Sequence, residues 1–222
     1  MVVVVPGSTT YTPGSKPLST MCEEAAAFHQ VNGADAQIAT LCRSAINAGI
    51  GLINSRDWKK VYGVWTITLT QDQDYEEVQQ DYKAPMSMHR LDTNSKRESR
   101  VRYEPLQTFL RQNLDSTQSG DICFYTFDEK RRRVMWDVPV GSAYIGQTPK
   151  HEHYYHRRVP SLQDDSDTTG LPPEFDEWLV LRAALRLGRI LDPEKIRFIS
   201  EEEREMWQWI RTSDNQTESD AL

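Results

Sequence analysis

The residues with the clearest potential for chemistry are the histidines of the run His151-Glu152-His153-Tyr154-Tyr155-His156. Side chains two residues apart in a strand lie on the same side, so His151 and His153 would present two imidazoles together. With a carboxylate as third ligand, such a pair could bind a transition metal. Glu152 and His156 would face the other side, which favours a plain strand with its histidines at a sheet surface or a subunit seam. We therefore predict no metal site.

Other catalytic signatures are missing from the sequence. It contains no HExxH, Walker, GxGxxG or GxSxG motif. The cysteines Cys22, Cys42 and Cys123 are odd in number and show no CxxC spacing, which is typical of buried thiols rather than of a disulfide framework or a zinc knuckle. We predict that the protein is not an enzyme and uses no cofactor.

Basic residues form a second group with potential for binding. Four of them follow one another at the tip of a predicted hairpin: Lys130, Arg131, Arg132 and Arg133. Four more lie in a preceding polar stretch: Lys96, Arg97, Arg100 and Arg102. Such clusters can contact DNA phosphates or an acidic patch on a partner, and they are equally typical of a solvated turn.

The overall charge argues against tight binding of nucleic acid. The chain of 222 residues has a net charge of -7, and much of the acidity follows Ser200. Affinity for phosphates comes mainly from Lys and Arg, so this chain could surround DNA without gripping it. The opening run Val2–Val5 is far shorter than the roughly 20 apolar residues of a membrane span. We expect a soluble protein with no membrane partner.

Helices are predicted on both sides of a β-rich middle. A capping box at Thr20 opens a short helix, and Asp35 caps a longer one that ends near Asn54. The apolar stripe of the longer helix consists of Ile38, Leu41, Ala45, Ala48 and Leu52.

From Val61 the apolar period changes to two, which is typical of strands. Trp65, Ile67 and Leu69 alternate with threonines in the first of them. Further strands are predicted at 86–91, 100–103, 122–127, 134–140 and 151–158, with a short helix at 105–114 and a hairpin that joins 122–127 to 134–140.

A long helix is predicted after Leu171-Pro172-Pro173, because proline is favourable in the first helical turn. Apolar residues cover two of its faces between Phe175 and Leu191. Three arginines form the polar stripe that interrupts them: Arg182, Arg186 and Arg189. A surface helix normally buries one stripe, so we expect this helix to contact a neighbouring subunit as well.

The last predicted helix runs from Asp192 to about Ile210 and carries Trp207 and Trp209, and Arg211 follows directly. Two tryptophans two residues apart on a helix cannot share one face. Aromatic residues and arginine are frequent interface anchors, which favours a contact with a partner, although one tryptophan could simply pack inside the subunit.

The order of these segments resembles the head-to-tail adaptor (connector, or head completion) family of tailed bacteriophages. The likeness lies in Ile53-Asn54-Ser55-Arg56-Asp57-Trp58 before the first strand, in Tyr154-Tyr155-His156-Arg157-Arg158-Val159-Pro160, and in Leu171–Leu191. The chain departs from the family at residues 74–81, where many relatives have a tight turn.

The resemblance implies an α+β fold in which N- and C-terminal helices form a bundle and an antiparallel β-rich segment is inserted. The predicted divisions are an extended arm (1–18), bundle helices (19–60), the β insertion (61–160), the long and C-terminal helices (161–211) and an acidic tail (212–222).

The implied function is structural. Subunits would form a ring, typically of twelve in this family, which docks under the portal protein, joins capsid to tail or neck proteins, and lines a channel for non-specific passage of DNA. The protein would be made in the host cytoplasm and end in the virion neck. The alternatives are a neck protein one layer below, and a metal-dependent nucleic-acid enzyme.

Overall fold

The structure, a computed structural model, describes residues 15–92, 94–112, 120–141 and 150–216. Its residues divide into two compact units. The β unit comprises Tyr62–Arg157, and the helical unit comprises the described residues before and after it, 15–61 and 158–216. Each unit has its own hydrophobic core. The α+β class is therefore confirmed, whereas residues 1–14 of the predicted arm lie outside the described residues.

The first helix of the helical unit, α1, comprises Leu18–Ala27. It begins two residues before the predicted capping residue Thr20, and no side chain caps it. The backbone N–H groups of Leu18 and Ser19 instead donate to carbonyl oxygens of the loop before the long helix. Tertiary contacts thus satisfy the first-turn donors that the predicted capping box would have served.

The second helix, α2, comprises Ala36–Asn54 and begins as predicted. The Asp35 carboxylate accepts hydrogen bonds from the backbone N–H groups of Gln37 and Ile38 at 2.9 and 3.3 Å. Ile38, Leu41 and Ala45 of the predicted apolar stripe pack against the core, but the stripe is centred about one position too early, because Leu52 is 44% exposed. The buried face consists of Cys42, Ile46, Gly49, Ile50 and Ile53.

Two glycines of α2 provide a matched test of this packing. A Cβ atom on Gly49 would lie 2.5 Å from Leu179 Cδ2, whereas one on Gly51 would meet nothing within 4 Å. We expect Gly49→Ala to lower the free energy of unfolding by about 1–2 kcal/mol through overpacking. Gly51→Ala should raise it by about 0.5–1 kcal/mol through helix propensity. Urea denaturation of both variants measures the difference, and equal effects would contradict the close approach.

The long helix, α4, comprises Pro173–Leu191, and its start at a proline confirms the prediction. The short helix of the β unit, α3 (Leu106–Gln112), precedes it in the chain, and α5 (Ile196–Gln216) follows after a 3-10 turn at Pro193–Lys195. α1, α2 and α5 all contact α4. Its buried residues are Phe175, Asp176, Trp178, Leu179, Val180, Leu181, Ala183, Ala184, Leu187 and Gly188.

Most of the apolar circumference of α4 is therefore covered within one subunit. The expectation that a neighbour must cover it is wrong for this part, because three helices of the same chain already do so. Only the C-terminal end remains open, where Ile190 is 59% and Leu191 41% exposed. Any contact with another copy must use that end or other surfaces.

A buried carboxylate fastens the start of α4 to the chain before α1. Asp176 is 0% exposed. It accepts hydrogen bonds from the Ser15 hydroxyl (3.0 Å), the Lys16 backbone N–H (2.8 Å) and the Thr169 hydroxyl (2.6 Å). Three separate segments of the helical unit thus meet at one side chain.

α5 continues past the predicted end at Ile210. Residues 212–216 are helical, so the prediction of a disordered tail over 212–222 is wrong for them. The Asp214 carboxylate, which is nearly buried, accepts a hydrogen bond from the backbone N–H of Lys60 at 3.0 Å. This contact extends the helix, and residues 217–222 lie outside the described residues.

The β unit contains a seven-stranded sheet in the order β1-β7-β3-β4-β5-β6-β2. Its strands are β1 (Tyr62–Thr68), β2 (Tyr75–Glu77), β3 (Tyr82–Leu91), β4 (Arg97–Tyr103), β5 (Phe124–Asp128), β6 (Arg133–Trp136) and β7 (Lys150–Arg157). α3 (Leu106–Gln112) lies between β4 and β5 in the chain. Each predicted strand has a counterpart, with bounds that differ by up to four residues, as at β6, which ends at Trp136. The short helix and the β5–β6 hairpin are confirmed, and β2 is additional.

The predicted all-antiparallel arrangement is wrong at one pair. β4 and β5 run parallel, with Arg102 opposite Phe124 and Tyr103 opposite Tyr125. Parallel neighbours need a crossover connection, and residues 104–123, which include α3, provide it. The sheet is therefore mixed.

Candidate functional site

The two histidines considered as metal ligands lie in the core of the β unit. His151 and His153 are both 0% exposed, so the interpretation of a sheet surface or subunit seam is wrong. The Tyr82 hydroxyl lies 3.0 Å from His153 Nε2. Glu152 faces the other way and pairs with Arg97 at 2.7 Å. Among the described residues, no group of three His, Cys, Asp or Glu side chains could hold a metal.

Burial determines the charge state of both imidazoles. It lowers the pKa of His151 to about 4, with a further contribution from the positive charge of Arg90. It lowers the pKa of His153 to about 3, with a smaller contribution from His151. Both rings are therefore neutral at neutral pH and serve as core side chains.

The basic hairpin tip is partly occupied by contacts within the β unit. The Arg132 guanidinium donates to the Gln79 carbonyl oxygen at 3.0 Å, and its backbone has a φ of 52°. The Arg133 guanidinium lies 4.6 Å from the centroid of the Tyr75 ring. Lys130 and Arg131 remain exposed, although Arg131 Nε lies 3.8 Å from the carboxylate of Asp128. These two side chains are the part of the predicted tip that can reach a partner.

The earlier basic cluster lies around β4. Arg97 pairs with Glu152, and its guanidinium lies 4.8 Å from the Tyr154 ring centroid. Arg100 and Arg102 are exposed. Their alternation with the buried Val101 places these two arginines on one face of the strand.

The three arginines of α4 have different environments. Arg182 pairs with Glu203 of α5 at 2.9 Å, and its guanidinium lies 5.1 Å from the Trp178 ring centroid. Arg186 and Arg189 are exposed and form no ion pair with a described residue. We call the surface formed by Arg186, Arg189 and Ile190 the basic face. It borders a cleft of about 220 Å³ between α2 and α4.

The two tryptophans of α5 also separate. Trp207 stacks on Trp178 with ring centroids 4.1 Å apart and meets the edge of Trp58 at 5.2 Å. It packs within its own unit. Trp209 is 55% exposed, and the Lys60 ammonium lies 5.8 Å from its ring centroid. Arg211 is exposed, so the partner-contact hypothesis now concerns Trp209 and Arg211.

This difference predicts effects of different size for two alanine variants. Trp207→Ala should lower the free energy of unfolding by about 2 kcal/mol, because it removes two aromatic contacts and leaves a cavity. Trp209→Ala should change it by less than about 0.5 kcal/mol, as is usual for an exposed side chain. Thermal and urea denaturation of both variants test this. A large loss for Trp209→Ala would contradict the exposed position of this side chain.

Trp209 borders a surface feature that the sequence did not predict. A groove of about 920 Å³ lies among α1, α4 and α5. Its apolar residues are Ala27, Phe28, Val180, Leu181, Met206 and Trp209. Its acidic residues are Glu24, Glu174, Glu177, Glu202 and Glu205, and Lys16 is the one basic residue among the described residues that line it. We call this feature the acidic groove.

Internal ion pairs neutralise only part of the groove. Glu24 pairs with Lys16 at 2.6 Å, and Glu174 pairs with Lys60 at 3.3 Å. Glu177, Glu202 and Glu205 form no ion pair with a described residue. The only signal in the sequence was the spacing of Glu202, Glu205 and Trp209 on one side of a helix, and it gave no indication of the residues contributed by α1 and α4.

Comparisons with known proteins assign this chain to no family. Among the described residues, no helix is both long and apolar enough to cross a membrane. In these comparisons, neither a protein-family model nor a curated protein matches this chain.

Proposed function

We propose that this chain is a structural head-to-tail adaptor of a tailed bacteriophage. In this proposal its copies form a ring that docks under the portal protein, joins the capsid to the tail, and surrounds the DNA as it passes. The helices from the two ends of the chain then form the bundle of the adaptor fold. The β unit is the segment inserted between them.

One observation supports this proposal most strongly. Helices that precede the β unit (α1 and α2) and helices that follow it (α4 and α5) share a single hydrophobic core. The sheet residues between them have a separate core. This is the organisation that the resemblance to the adaptor family implies, and it supports a β unit inserted in the helical unit.

The charges are compatible with a channel through which DNA slides. The chain carries a net charge of -7, so a ring of copies is strongly acidic and repels a phosphate backbone over most of its surface. Exposed basic residues such as Lys130, Arg131, Arg100 and Arg102 then provide local contacts with DNA or with acidic tail proteins. Many copies in a ring would multiply such weak contacts.

Mixing the purified protein with the portal protein of the same phage tests the proposal. Light scattering should detect assemblies that contain both proteins, and electron microscopy should show a ring of this chain stacked on the portal ring. A protein that stays monomeric, ignores portal and assembles on tail components would be a neck protein of the layer below. Stoichiometric metal with turnover would overturn the structural role altogether.

A further inference from the structure

The acidic groove and the basic face have complementary chemistry. Three carboxylates of the groove, those of Glu177, Glu202 and Glu205, lack an ion pair with any described residue. Arg186 and Arg189 likewise lack one. Each surface also exposes a large apolar side chain beside its charges, Trp209 in the groove and Ile190 on the face.

We propose that the acidic groove of one copy receives the basic face of the next copy. The inference rests on the proposed function, and it names the contact by which neighbouring subunits of the ring associate. Ile190 enters between the apolar walls of the groove, and Arg186 and Arg189 meet the carboxylates at its rim. A second copy is the occupant favoured by the charges, because the complementary surface belongs to the same chain.

The positions of the two surfaces on α4 determine the symmetry of the contact. Arg186 follows Glu177 by about two and a half helical turns, so the two side chains leave α4 in opposite directions. A two-fold contact cannot join both grooves to both faces when they point in opposite directions. The contact is therefore heterologous, and successive copies continue head to tail; in the proposed ring, the rotation from one copy to the next is the one that closes.

Internal packing leaves both surfaces free for this contact. Arg182, the third arginine of α4, is already paired with Glu203. Trp207 is stacked within the unit on Trp178. The predicted interface residues that remain candidates are therefore the exposed ones, Arg186, Arg189, Trp209 and Arg211.

Charge reversal tests the contact directly. The groove variant carries Glu202→Lys and Glu205→Lys, and the face variant carries Arg186→Glu and Arg189→Glu. In each variant alone, like charges meet at every contact, so the concentration needed for half-assembly should rise at least about tenfold. When the two variants are mixed, every contact pairs opposite charges again, and the mixture should assemble with alternating copies.

Sedimentation velocity measures assembly of the wild type, each variant and the mixture, with and without portal protein. The control variant, Glu23→Lys with Glu194→Lys, changes two exposed carboxylates that do not line the groove and should assemble like the wild type. Circular dichroism confirms that all variants are folded.

The outcomes separate this contact from the proposed function. Weaker assembly of each variant alone, together with recovered assembly of the mixture, supports the contact. Variants that assemble as the wild type does, or a mixture that fails while the wild type assembles, would overturn the contact and leave the ring intact. A wild-type protein that forms no assembly, alone or on portal, would overturn the proposed function and the contact together.

Discussion

Replacing Asp176 with alanine is expected to lower the free energy of unfolding of the helical unit by about 3 kcal/mol. The variant loses the acceptor for the hydroxyls of Ser15 and Thr169 and for the backbone N–H of Lys16. These donors lie in a buried or partly buried region, where an unpaired donor is costly. Burial also raises the pKa of Asp176, and relief of that desolvation offsets part of the loss.

Urea denaturation followed by far-UV circular dichroism measures this effect. The matched control is Glu177→Ala, the next residue on α4, which is exposed and should change the free energy by less than about 0.5 kcal/mol. Similar losses in both variants would mean that helix propensity or charge, and not the buried hydrogen bonds, determines the result. The Asp176→Ala loss should also be accompanied by faster proteolysis near residues 15–17, since this segment is held there by the carboxylate.

The second large effect is acid destabilisation of the β unit by His151 and His153. Burial lowers both pKa values in the folded state, to about 4 and about 3. The unfolded chain therefore binds protons first as the pH falls below about 6.5, and stability is lost. The stabilisation that comes from keeping the two histidines neutral is fully present above that pH. It declines as the pH falls from about 6.5 to the pKa values of the folded state. Between about pH 7 and pH 4.5 we expect a loss of about 2 kcal/mol for each histidine.

The variant His153→Phe with Tyr82→Phe isolates one of these titrations. It removes the imidazole together with the hydroxyl that lies 3.0 Å from it, so no hydrogen-bonding group is left without its partner. The slope of unfolding free energy against pH between about 6 and 4.5 should decrease by about 1.4 kcal/mol per pH unit. Tyr82→Phe alone should keep the full slope. An unchanged slope in the double variant would show that His153 is accessible to protons in the folded protein.

Local signals explain which parts of the fold could be predicted from the sequence. Asp35 at the start of α2 and Pro173 at the start of α4 act on backbone groups next to them, so their effects can be recognised without a fold. The alternation of His151, His153 and Tyr155 with polar residues likewise identified β7. What the alternation could not determine is that the histidines lie on the buried side.

The remaining features depend on contacts between distant segments. The side of α2 that is buried depends on Gly49, which allows close approach to Leu179 of α4. Arg182 is neutralised by Glu203 from another helix, which separates it from Arg186 and Arg189. The acidic groove combines residues of three helices, and β2 has only three residues, so neither has a periodic pattern in the sequence.

The places of Glu177 and Arg186 along α4 have a consequence for the geometry of assembly. At 1.5 Å per residue they are about 14 Å apart along the helix axis. If α4 stood upright on the symmetry axis, each copy joined by this contact would climb by that amount, and the copies would wind into a filament with a pitch. A closed ring instead requires α4 to be tilted towards the plane of the ring, so that the translation along the symmetry axis from one copy to the next becomes zero. The tilt of α4 from the symmetry axis would thus determine whether copies of this chain form a closed ring or a helical filament.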